Sequence, residues 1–142
     1  MSAVARMECS AHRENIATIM RFVDERCACA ALDGEDAVAV RLAVEEVCEN
    51  VVKYAYAGRE TGPITLEFAS SPWHVSVSIE DHGVAFDPTQ LAPADVTSDW
   101  KSRKIGGLGW HLVKKLMDDV RHDAISSGGN RVTLTKRRAT AL

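Results

Sequence analysis

Asp81-His82-Gly83-Val84-Ala85-Phe86-Asp87-Pro88 is the stretch on which the fold of this 142-residue chain turns. The residues before it alternate: Val75, Val77 and Ile79 are apolar and their neighbours polar, so a half-buried strand ends at Asp81. Gly83 follows, where the missing side chain would let a planar ring approach the backbone. Phe86 and Pro88 would anchor the start of the next loop in the core. Downstream, Gly106-Gly107-Leu108-Gly109 opens a run with Leu112, Val113, Leu116 and Met117 at helical spacing. Backbone amides at such a helix start form a ready anion site. Upstream, Glu46 and Asn50 are four apart in a helical run, so they share one face.

Taken singly, each part has an ordinary reading. Glu46 and Asn50 could be the solvated edge of an amphipathic helix, in which Glu45 and Glu49 are acidic too. Asp81 could stabilise its own turn. Gly107 and Gly109 could be a plain loop-to-helix joint. Taken together and in this order, they supply what a nucleotide needs: an amide for a metal, a carboxylate for a base, and glycine amides for phosphate.

The rest of the chain reads around this set. A strand is expected near Ala5–Ser10, then helices over Arg13–Ala31, broken by Gly34, and over Glu35–Ala55. Val40, Val44, Val47 and Val51 form the second helix's apolar stripe. Strands follow over Ile64–Phe68 and up to Asp81, paired as a hairpin, and later over Val120–Ser126 and Arg131–Lys136, joined by Ser127-Gly128-Gly129-Asn130. Thr89–Ile105 has no strong period, and a loop of that length in a compact domain is functional or mobile. The layout β-α-α-β-β-loop-α-β-β implies one α+β domain over residues 1–142. It should be a two-layer sandwich, with a mixed, largely antiparallel sheet and helices on one face.

Composition excludes several classes. The net charge of −3 gives no electrostatic case for nucleic acid, and Lys136-Arg137-Arg138 reads as a solvated cluster. No apolar run reaches the length of a membrane span, and Arg6 and Glu8 interrupt any signal-peptide core, so a cytoplasmic location is expected. Cys9, Cys27, Cys29 and Cys48 lack zinc-like or redox spacing and are expected to be reduced, with Cys27 and Cys29 on nearly opposite helix faces.

The full set resembles the Bergerat ATP-binding fold of the histidine-kinase-like (GHKL) ATPase superfamily. The N-box is Glu46-Val-Cys-Glu-Asn50, the first glycine box Asp81 to Pro88, and the second Gly106 to Gly109. Within that superfamily the chain looks like the anti-sigma-factor serine kinases. It reads as a bare ATPase domain, without a dimerisation helix bearing a phospho-accepting histidine. Its N-box continues as Asn50-Val-Val-Lys-Tyr-Ala-Tyr56, and its second box as Gly109-Trp-His-Leu112-Val-Lys-Lys-Leu116-Met-Asp118.

The resemblance implies ATP and Mg²⁺ as cofactors. Asn50 would ligate Mg²⁺, Glu46 would be the base for a serine hydroxyl, and Asp81, with Gly83 and Phe86 beside it, would read adenine. Gly107, Leu108 and Gly109 would face the phosphates under a lid at about 89–105. It also implies a sigma factor and a STAS-domain anti-sigma-factor antagonist as partners, and a homodimer. Three positions depart from the family pattern. Tyr54 replaces a histidine. Asn130 replaces a threonine that helps hold adenine. Ile105 replaces an arginine that reaches the γ-phosphate, and Arg103 or Lys104 would then take over that contact. Two other functions fit the same residues: a nucleotide-dependent binding module without kinase activity, and the ATPase half of a split histidine kinase.

Overall fold

A computed structural model describes residues 3–85 and 105–142, the side chains of 105–108 excepted. Strand β1 (Ala3–Ser10) leads through a 3₁₀ turn (Arg13–Asn15) into helix α1 (Ile16–Cys29). Helix α2 (Gly34–Asn50) runs without a break into a π-helical turn (Val51–Ala55). Strands β2 (Pro63–Ser70) and β3 (His74–Asp81) come next, then helix α3 (Ile105–Leu116) and strands β4 (Asp119–Ala124) and β5 (Asn130–Arg137).

The five strands form one sheet in the order β1-β2-β3-β5-β4. Every described pairing is antiparallel, which is the limit of the largely antiparallel sheet expected. Helix α2 is the centre of the helical layer: it packs on both α1 and α3 and against β3 and β5.

Alternation decides which sheet face is buried. Val75, Val77 and Ile79 of β3 and Val132 and Leu134 of β5 point inward, together with Ile64, Leu66 and Phe68 of β2. Val40, Val44 and Val47 of α2 meet them from the helical layer, all fully or almost fully buried. Each such side chain contributes roughly 1.5–3 kcal/mol of burial free energy. The opposite sheet face is polar, and ion pairs such as Arg131–Glu80 lie across its strands.

Two helix boundaries differ from the sequence reading, for local reasons. Helix α1 ends at Cys29 with Ala30 as its C-cap, short of the expected Ala31, which takes the left-handed conformation (φ 51°) that closes the last turn. Gly34 is instead the first residue of α2, whose N-cap is Asp33, with Glu35 N–H donating to its side chain at 2.8 Å. The cysteines behave as expected: Cys27 is buried, Cys29 exposed, and all four are free thiols. Among the described residues no helix is long and apolar enough to cross a membrane.

Candidate nucleotide-binding site

Strand register assembles the first half of the site. Ile64, Asp81, Asn130 and Ala124 lie on one rung across β2, β3, β5 and β4, at the end of the sheet where β3 stops. Asp81 and Asn130 are each 1% exposed. Asn130 Nδ2 donates to the Asp81 carboxylate (3.1 Å to Oδ1, 3.3 Å to Oδ2) and to the Val84 carbonyl at 2.9 Å. Gly83 N–H donates to Asp81 Oδ1 at 2.9 Å. Among the described residues Asp81 has no cationic salt-bridge partner. Burial pushes its carboxyl above the ordinary value, while the Gly83 amide, the Asn130 amide and the nearby His82 and His122 oppose that rise. A buried carboxylate held by amide donors is costly, and such groups concentrate at binding sites.

The π turn clamps the loop after Asp81. Val84 N–H donates to the Ala55 carbonyl at 2.7 Å, and His82 N–H donates to the Tyr56 hydroxyl at 2.8 Å. That hydroxyl in turn donates to the Pro63 carbonyl at 2.5 Å. The approach is so close that a Cβ on Gly83 would fall on the Ala55 carbonyl. The absent side chain therefore admits Ala55, a use of Gly83 that the sequence did not disclose. Both groups are backbone and neither can swing away, so Gly83→Ala should cost on the order of 3 kcal/mol. Urea unfolding checks this, with Gly34→Ala as the neutral control because nothing lies within 4 Å of its added Cβ.

Helices α2 and α3 bring the second half together. Asn50, the last residue of α2, is only 4% exposed. Glu46, one turn earlier, is half-buried, and its Oε2 occupies the space that a Cβ on Gly109 would need. In a helix that begins at Ile105, the Gly109 amide is already bonded within the helix, so Gly109 supplies room for Glu46. The amides of Ile105, Gly106 and Gly107, in the first turn, have no intrahelical acceptors. Burial first, then Glu49 and Glu45, push the Glu46 carboxyl above its ordinary value, against the pull of Lys53.

Phe86, Arg103, Lys104 and the segment 89–104 lie outside the described residues, as does the Leu108 side chain. Tyr54 stands partly exposed on the π turn. Among the described residues no cluster of His, Cys, Asp and Glu could hold a metal alone.

The profile of the histidine kinase-like ATPase domain matches residues 9–136, nearly the whole chain. The chain belongs to the histidine kinase-like ATPase family. Among curated relatives is the Bacillus cereus serine-protein kinase RsbW, 32% identical over 139 residues, covering 92% of this chain and 82% of that protein. The Listeria monocytogenes serine-protein kinase RsbW is 38% identical over 86 residues, which are 58% of this chain and 55% of that protein. The match thus spans about half the length of the Listeria relative.

Two solved structures share the fold. The RsbU and RsbW domains of a Mycobacterium tuberculosis protein superpose with a TM-score of 0.69 at 20% identity, over 99% of this chain and 34% of that one. The histidine kinase domain of a blue-light activated kinase from Erythrobacter litoralis gives 0.55 at 17% identity, over 89% and 60%.

Proposed function

We propose that this protein binds ATP with Mg²⁺ in the cytoplasm and transfers the γ-phosphoryl group to a serine of a STAS-type anti-sigma-factor antagonist. In the same reading it holds a sigma factor and acts as a homodimer. The observation that carries the proposal is the buried Asp81 carboxylate, which has no cationic salt-bridge partner among the described residues and lies next to donors that keep it an acceptor. An acceptor-only group selects the adenine amino group and repels a carbonyl in the same place. The relatives' name, serine-protein kinase, supports a hydroxyl acceptor.

Each residue has a definite task. Asp81 accepts from the adenine amino group, while Asn130 and Gly83 hold it in place. Gly106 and Gly107 offer amides to the phosphates. Asn50 holds Mg²⁺, which, when bound, neutralises charge on the phosphate oxygens. Glu46 takes the proton of the serine hydroxyl as that oxygen bonds to the γ-phosphorus and ADP leaves with the electron pair of the broken bond.

Calorimetry with Mg-ATP and Mg-GTP is the first test, followed by transfer of labelled phosphate to a purified antagonist. Failure to bind ATP, or a preference for GTP, ends the proposal. Binding without transfer would leave the nucleotide-dependent binding module.

The rate should also depend on pH in a way that Glu46 dictates. Below its pKa the carboxyl keeps its proton and cannot act as a base, so transfer falls as pH drops. Because burial and Glu49 raise that pKa, the fall should set in above the ordinary value of 4.5. A pH–rate profile measures it, and Glu49→Gln should move the acid limb to lower pH. An acid limb that stays put in Glu49→Gln would deny Glu46 the role of base.

A further inference from the structure

The Asp81–Asn130 pair has a third member outside the family's motifs. His122 Nε2 lies 3.0 Å from Asn130 Oδ1. The two residues sit on adjacent strands: His122 pairs with Val132 and Asn130 with Ala124, so they are diagonal neighbours on the inner face. The direction of this hydrogen bond follows from what surrounds Asn130. Its Nδ2 faces the Asp81 carboxylate and the Val84 carbonyl, all acceptors, so the amide cannot be turned the other way. Oδ1 must then face His122, and His122 Nε2 must carry the hydrogen. Asn130 also stands where the resembling family has threonine, whose shorter side chain lacks an amide to relay between a histidine and a carboxylate.

We infer that His122 is a positioning residue for base selection: through Asn130 it fixes Asp81 as an acceptor and so sets the preference for an amino group over a carbonyl on the purine. This rests on the ATP reading above. Discrimination holds only while Asp81 stays ionised, because a protonated carboxyl can donate to a carbonyl. Burial favours that proton, and the Asn130 donor opposes it. Anchoring the far end of Asn130 keeps its donor in line. Hydrogen bonds in such a chain reinforce one another, and a buried acceptor left without its donor is destabilising.

The test compares the affinity of the full chain for ATP and for inosine triphosphate, whose hypoxanthine carries a carbonyl in place of the amino group. His122→Ala should lose roughly three- to tenfold in ATP affinity, with a smaller loss or none for inosine triphosphate, so the preference ratio falls. His122→Gln, which keeps a side-chain N–H, should restore most of it. In an Asn130→Ser background, His122→Ala should change the ratio no further, since the relay is already cut. His122 sits partly exposed on an edge strand, so these variants should fold, and thermal melts verify it. Equal loss for both nucleotides, or an unchanged ratio, overturns the inference while leaving ATP binding intact. Wild-type protein that binds neither nucleotide overturns the ATP reading and this inference together.

Discussion

Glu46→Ala protein is expected to bind Mg-ATP nearly as well as wild type while phosphotransfer falls by about 10²–10⁴-fold, the usual contribution of a positioned base. Asn50→Ala is expected to lose both. The difference lies in what each group touches under the proposed mechanism. A base acts on the incoming hydroxyl, so its removal leaves the nucleotide's contacts in place. A metal ligand acts through the cation on the phosphates, so its removal weakens ground state and transition state alike. Structure sets the control needed. Asn50 is buried at the end of α2, so its truncation also leaves a small void. Thermal melts must show that the protein remains folded at the assay temperature. Calorimetry for nucleotide and labelled-phosphate transfer to the antagonist then separate the two roles. Equal losses of ATP affinity in both variants would show that Glu46 supports the metal site instead of acting on the acceptor.

Asp81→Asn should abolish the adenine preference and weaken ATP by at least about 100-fold, through orientation as well as charge loss. Gly83 N–H donates to Oδ1, and Asn130 Nδ2 lies nearer Oδ1 (3.1 Å) than Oδ2 (3.3 Å), so an amide at position 81 is best placed with its oxygen there. Its NH₂ then takes the place of Oδ2. A base amino group would meet a donor instead of an acceptor, at the full cost of an unpaired buried group. A purine carbonyl would be received there, so GTP should gain on ATP.

Stability should move the other way. Asp81 has its pKa raised in the folded state, so its contribution to stability is complete below the unfolded value and declines as pH rises through the folded one. At neutral pH the ionised carboxylate therefore supports the fold less than its protonated form would. Asp81→Asn should melt no lower than wild type, and a differential scanning calorimeter at pH 7 decides it. A strongly lowered melting temperature together with lost binding would make Asp81 a structural residue.

These two predictions use residues visible in the sequence, and much of the fold was visible there too. Val75, Val77 and Ile79 announced β3 because a strand with one buried face must alternate. Val40, Val44 and Val47 announced α2 by the same logic at helical spacing. The π turn was not legible, because Val51 continues the valine stripe and an apolar period does not register one wider turn. Nor was the contact of Glu46 with Gly109, which depends on how α2 and α3 approach. His122 was hidden for a further reason. Its bond to Asn130 exists only in the register imposed by the β4–β5 turn, where Gly128 and Gly129 take φ values of 99° and 117°. Tyr56 stood in a quoted motif, but its hydroxyl bridge between His82 and Pro63 needs β2 and β3 in place.

The π turn also fixes how this gene can change length. Substitutions at Val52, Lys53 and Tyr54, which are not buried, leave the backbone path intact. Deletion of one residue there would let an ordinary α-helix form and would swing everything beyond it by about 100° around the helix axis. Ala55 and Tyr56 would then turn away from Val84 and His82, which they now bind. The hexapeptide after Asn50 therefore behaves as a spacer of fixed count, tolerant of change at its unburied middle and intolerant of frame-preserving deletions, while the exposed turn at Gly58–Thr61 is where insertions can accumulate.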